Sequence, residues 1–259
     1  MVTRDTPWPP GTPCWVDLSV DNVASAGTFY GGLFGWDLAV GPPEAGGYTM
    51  CEVGGQPVAG IGPKMGDQPM PSVWTTYLAS GDADQTAARI KSAGGQVMAE
   101  PFDVMDVGRM AVAADPGGAV FGVWQARSHT GARRVNEAGS MVWNENMSRD
   151  FDGNKAFYRA VFGYDFGDMS SEGFSYATMD LDGRPVGGIG GLPADVPASV
   201  PAYWAAYFGA ADTDATVARA VELGGQVIRP ASDTPYGRMA TLADDQGAMF
   251  SVMSVQAEG

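Results

Sequence analysis

The feature that most constrains this chain is that it repeats itself. Trp15 recurs as Trp143, Phe29-Tyr30 as Phe157-Tyr158 and Phe34-Gly35 as Phe162-Gly163, each 128 residues further on. The run Gly-Gln-Pro-Val-Ala-Gly-Ile-Gly at 55–62 returns as Gly-Arg-Pro-Val-Gly-Gly-Ile-Gly at 183–190. Trp74 then matches Trp204, and Gly94-Gly95-Gln96-Val97 matches Gly224-Gly225-Gln226-Val227, at an offset of 130. Gly108-Arg109-Met110-Ala111 matches Gly237-Arg238-Met239-Ala240 at 129. An offset that drifts by so little is one fold used twice, with small changes in loop length. The polar segment Arg127–Ala138 lies between the copies. It implies domains at 12–126 and 139–256 with a linker at 127–138, each copy folding separately.

Within a copy the hydrophobic period alternates between strand and helix. Residues 14–20 alternate as a strand, and Asp21 or Asn22 caps a helix over 23–34. Strands follow near 36–40, 47–53 and 57–62, set apart by Gly-rich turns. The order then restarts. A strand at 73–80 leads to a helix at 83–93, capped by Asp82 and stopped by Gly94-Gly95, and strands near 96–101, 109–114 and 119–125 complete it. Each domain is a doubled βαβββ unit, so the fold class is α+β.

Composition excludes some partners. Hydrophobic residues make up 45% and charged residues 17%, which fits a folded core. The net charge of −15 repels nucleic acid and anionic bilayers, so neither is an expected partner. No run is long enough to span a membrane, and the first residues lack the apolar core of a signal peptide. Cys14 and Cys51 have no counterparts in the second copy and read as reduced, buried thiols. A cytoplasmic location is expected.

Taken together, several segments resemble the vicinal-oxygen-chelate superfamily: the strand, the Asp/Asn cap, the helix carrying Phe-Tyr, the turn Phe34-Gly35-Trp36, the Gly-Gly-Gln-Val run and Asp115-Pro-Gly-Gly-Ala119. That superfamily includes glyoxalase I, bleomycin-resistance proteins and extradiol dioxygenases. The resemblance spans nearly the whole chain, twice. It looks closest to two-domain actinobacterial proteins labelled as hydroxylases or as a 27 kDa antigen, some of them from polyketide antibiotic clusters. It implies cup-shaped, eight-stranded sheets, each holding a pocket between its two βαβββ halves.

Metal-dependent members place His, Gln or Glu ligands on the first and last strands of each half. Carried over by position, those sites fall on Trp15, Thr75 and Gly122 in the first copy and on Trp143, Ala205 and Ser251 in the second. None is a familiar ligand for a cation that must hold two substrate oxygens. The single histidine, His129, lies in the linker and reads as solvated. No metal and no cofactor are expected. Asp17 or Glu145 could offer a cation one carboxylate each, which makes a poor site.

Other residues are candidates for chemistry or binding. Asp17 and Glu145 stand two residues beyond the tryptophans, on the same strand face, where partial desolvation would suit them to general acid/base catalysis. The alternative is that each accepts hydrogen bonds and fixes the sheet. Arg109 and Arg238 would receive a ligand oxygen, or else pair with Asp103 and Asp233. Trp15, Trp74, Trp124, Trp143 and Trp204, with Met50, Met110 and Met239, suggest a large polarizable pocket for a planar aromatic ligand, although any one of them could be core.

The sequence therefore points to a metal-independent protein that binds an aromatic, polyketide-like molecule for resistance or biosynthesis, acting as a monomer or homodimer. The alternatives are a cofactor-free hydroxylase, cyclase or isomerase using a pocket carboxylate, and a metal-dependent lyase or dioxygenase.

Overall fold

The computed structural model describes residues 3–64 and 70–255. Gln256, the expected end of the second copy, lies outside them. The first copy runs β1 (Pro13–Val20), α1 (Val23–Phe34), β2 (Asp37–Val40), a single 3-10 turn (Pro43–Ala45), β3 (Thr49–Val53) and β4 (Gln56–Pro63). It continues with β5 (Val73–Ala79), α2 (Ala83–Ser92), β6 (Gln96–Val104), β7 (Gly108–Ala114) and β8 (Val120–Ala126). The second repeats this as β9 (Met141–Ser148), α3 (Phe151–Phe162), β10 (Asp165–Asp168), β11 (Tyr176–Leu181), β12 (Arg184–Gly191), β13 (Tyr203–Ala210), α4 (Thr213–Glu222), β14 (Gln226–Thr234), β15 (Gly237–Ala243) and β16 (Met249–Ser254).

Each copy forms one eight-stranded sheet, ordered β2-β3-β4-β1-β5-β8-β7-β6 in the first and β10-β11-β12-β9-β13-β16-β15-β14 in the second. The two βαβββ halves join where β1 and β5 run antiparallel at the centre of the sheet. Each helix begins on the side chain expected of a cap. Asn22, Asp82, Asp150 and Asp212 accept hydrogen bonds from the backbone N–H three residues on, satisfying donors that the helix leaves orphaned. Asp21, the other candidate cap, pairs with Lys64 instead.

Strand alternation divides each sheet into two faces. In β1, Val16, Leu18 and Val20 are fully buried beneath the helices, while Trp15, Asp17 and Ser19 point the other way, onto what we call the cup face. The helix-covered faces of the two sheets meet. One apolar cluster joins Leu18, Tyr30, Trp36 and Trp74 of the first copy to Phe208, Leu242 and Phe250 of the second. The other joins Leu78, Ile90 and Phe121 to Phe157, Tyr158 and Trp204. Each half of one sheet thus shares its core with the opposite half of the other.

The linker is part of this packing. Ala132 donates to the Cys14 carbonyl at 2.7 Å and Arg133 to that of Pro57 at 2.9 Å, which ties the segment to the first copy. Both cysteines are free and buried. No helix among the described residues is long and apolar enough to cross a membrane.

Candidate functional site

On the cup face of each sheet, a carboxylate on the first strand is gripped by two tyrosines. In the second copy the Glu145 carboxylate accepts from Tyr176 at 2.8 Å through Oε2 and from Tyr207 at 2.5 Å through Oε1. The Trp143 indole N–H donates to the Tyr176 hydroxyl at 3.0 Å. In the first copy Tyr77 and Tyr48 hydrogen-bond Asp17, and the Trp15 indole donates to Tyr48 at 2.9 Å. The same four-residue chain, Trp–Tyr–carboxylate–Tyr, is thus built twice. Burial raises Asp17 from its ordinary value to about 7, against the opposing pull of the two hydroxyls. Burial also raises Glu145, opposed by Tyr207, Tyr176 and the charge of Arg229.

Glycines make room for this arrangement. A Cβ on Gly60 would overlap the Tyr48 hydroxyl, one on Gly188 the Tyr176 hydroxyl, and one on Gly122 the Tyr77 ring. Gly60 lies beside Asp17, and Gly188 beside Glu145, in the parallel pairing of neighbouring strands. The glycines of the repeated 55–62 segment therefore serve close ring packing, a familiar use of glycine within strands.

The structure distributes the expected site residues between the two faces. Met50 lies beside Gly60, Thr75 beside Asp17, and Met110 beside Trp124, all on the cup face. Met239 pairs with Met253 in the second cup. Trp74 and Trp204 do not belong to the cups. They lie on the helix side, donating to the Tyr30 and Tyr158 hydroxyls at 2.9 and 2.8 Å, and are 6% exposed. Arg109 and Arg238 are not in the cups either. Arg109 forms paired hydrogen bonds with Asp84 at 2.7 and 2.8 Å and reaches Asp103 at 3.0 Å. Arg238 treats Asp214 and Asp233 in the same way.

His129 is also not where its polar surroundings in sequence suggested. Its ring stands edge-on to Trp15, 4.5 Å between centroids, and 5.4 Å from Trp124, whose indole donates to the His129 carbonyl at 2.9 Å. Burial lowers its pKa to about 4, so it is neutral, and Nε2 has no hydrogen-bond partner. The four tyrosines escape sequence reasoning too, although Tyr48 and Tyr176, and Tyr77 and Tyr207, occupy matching places in the repeat. That recurrence was the signal available.

The residues do not fit a divalent cation. At the inherited positions only Thr75 and Ser251 carry oxygen, and each cup carboxylate already accepts from two hydroxyls. Among the described residues no three His, Cys, Asp or Glu side chains converge as a metal site would require. A cleft of about 320 Å³ lies elsewhere, at the seam of α1 and Leu223, but its polar groups are engaged: Asn22 caps α1 and Ser25 donates to Asp245 at 2.5 Å.

Comparison with known proteins identifies the family and the fold. The model of the Glyoxalase/Bleomycin resistance protein/Dioxygenase superfamily matches residues 14–123 and again 145–252. The chain is 42% identical over 249 residues to a putative glyoxylase, CFP32, of Mycobacterium bovis, with 94% of each chain covered. It is 40% identical over 265 residues to the anthracycline biosynthesis protein DnrV of Streptomyces peucetius, with 97% of this chain and 96% of the relative covered. Among solved structures, the Mn(II)-bound glyoxalase from Novosphingobium aromaticivorans superposes with a TM-score of 0.66 at 14% identity, covering 95% of this chain and 83% of that one. A trihydroxybiphenyl dioxygenase from Sphingomonas wittichii gives 0.64 at 10% identity, covering 95% and 91%.

Proposed function

Since the chain belongs to the glyoxalase/bleomycin resistance/dioxygenase superfamily, we propose that it is a metal-independent binding protein that holds a flat, polyketide-like aromatic molecule for natural-product biosynthesis or resistance. One observation carries this reading: in both cups the positions that would bear chelating side chains hold no such ligand, and a Trp–Tyr–carboxylate–Tyr chain crosses the face instead. Aromatic rings offer a ligand large, rigid contact surfaces, and a few fixed polar groups orient it. The relative named for anthracycline biosynthesis fits such a ligand. The test is titration of a hydroxyanthraquinone, followed by tryptophan fluorescence, before and after treatment with a chelator. Saturable binding that survives chelation is expected. No binding, or binding lost to chelator and restored by a divalent metal, would overturn the proposal.

A second reading rests on Asp17. At about 7, its carboxyl holds and releases a proton near neutrality, as a general acid or base must. In that reading the chain is a cofactor-free cyclase or isomerase that shifts a proton on the bound ring system. Turnover by wild type that is abolished in Asp17→Asn, with ligand affinity retained, would favour it over binding alone.

A further inference from the structure

The two cups share their centres but not their walls. In the first, one rung of side chains crosses the face as Trp15, Tyr77, Gly122, Val112 and Ala99. The matching rung in the second reads Trp143, Tyr207, Ser251, Thr241 and Arg229. The inner pair is kept, and the outer three change from apolar to polar. Two neighbouring positions change in the same direction, although Thr75 beside Asp17 becomes Ala205 beside Glu145. Met50 beside Gly60 becomes Thr178 beside Gly188, and Phe102 beside Met110 becomes Ser232 beside Met239. Val73 becomes Tyr203, while its neighbour on the first strand changes the other way, from Ser19 to Met147.

Arg229 is the centre of this difference. It is exposed, forms no ion pair among the described residues, and sits close enough to Glu145 and Tyr203 for its charge to act on both. Arg109 and Arg238, by contrast, are saturated by aspartates. An uncommitted guanidinium above a cup whose carboxylate is already held by tyrosines suits an anionic or carbonyl oxygen.

We propose that the cups have diverged in specificity: the first takes an uncharged aromatic face, and the second an aromatic bearing a carboxylate or similarly oxygen-rich edge, anchored by Arg229. This rests on the reading of the chain as an aromatic-binding protein. The experiment titrates intact protein by calorimetry with two probes, a neutral hydroxyanthraquinone and an anthraquinone carboxylate. The wild type should bind both without mutual competition, the carboxylate more weakly as salt rises. Arg229→Gln, a change at an exposed position, should weaken the carboxylate roughly tenfold to a hundredfold and leave the neutral probe alone. Phe102→Ser should weaken only the neutral probe. Competition for one site, or equal effects of Arg229→Gln on both probes, would overturn the divergence while leaving aromatic binding intact; failure of both probes to bind would overturn both.

Discussion

The hydroxyl of Tyr158, on α3 of the second copy, stands 3.0 Å from the carboxylate of Asp115, in the turn before β8 of the first. Asp115 is buried and also accepts from Asn146 and Asn154 at 2.9 and 3.0 Å. The other seam repeats the contact, with Tyr30 donating to Asp244 at 3.1 Å. Polar groups buried in this way are costly to leave unpaired, so these contacts fix how the two sheets mate. Proteolysis within 127–138 is therefore expected to yield two fragments that co-elute on size exclusion and separate only in denaturant. Tyr158→Phe should cost about 1–2 kcal/mol in denaturant unfolding. Free, folded fragments would contradict the shared core.

That shared core marks the limit of what could be read from the sequence. The repeat, the helix caps and the strand order were legible because each depends on local spacing. The choice of sheet that a helix covers is not local: the apolar face of α1 looks the same whether it meets its own sheet alone or Phe250 as well. β5 and β13 carry large side chains on both faces, so alternation alone does not say whether Trp74 and Trp204 face the cup or the helices. The polar neighbours of His129 imply a solvated ring, yet Gly131, at φ +95°, helps turn the segment back against β1. The two carboxylates were found because the repeat pairs them with Trp; the tyrosines that clamp them come from distant strands.

Arg109 and Arg238 provide a control. Their ion pairs with Asp84, Asp103, Asp214 and Asp233 are on the surface, where such pairs contribute little. Arg109→Ala and Arg238→Ala should each leave the denaturant unfolding midpoint close to that of the wild type. Affinity for a hydroxyanthraquinone should stay at the wild-type value. A loss of binding in either variant would restore these arginines to the ligand sites.

Asp17 makes a pH-dependent contribution of known sign. Its carboxyl is raised from 3.8 to about 7 on folding, so between those values the native state holds a proton that the unfolded chain has released. Its contribution is fully present below the unfolded value and is lost as pH rises through the folded one. Wild type minus Asp17→Asn, compared by denaturant unfolding at several pH values, should therefore show relative stability falling from pH about 4 to pH about 7. A flat difference would mean that Asp17 titrates at its ordinary value. The Glu145→Gln pair should trend the same way, since burial raises Glu145 as well.

The glycines beneath the tyrosines test whether the clamp itself matters. A methyl on Gly60 cannot coexist with Tyr48 in place, because the added carbon would overlap the hydroxyl and the ring. Tyr48 must then swing away, taking a donor from Asp17 and an acceptor from the Trp15 indole. Overpacking of this kind costs about 1–3 kcal/mol. Donors to a carboxylate favour its charged form, so losing one should push Asp17 above its present value of about 7. Gly62→Ala is the matched comparison: its methyl would meet the Tyr48 ring at 3.1 Å, which a small shift relieves. Carboxyl titration by NMR, alongside denaturant unfolding, should show Gly60→Ala with a higher Asp17 pKa and lower stability, and Gly62→Ala close to wild type. If the two variants behave alike, Tyr48 does not depend on the glycine beneath it, and its hydroxyl does not hold the Asp17 pKa down.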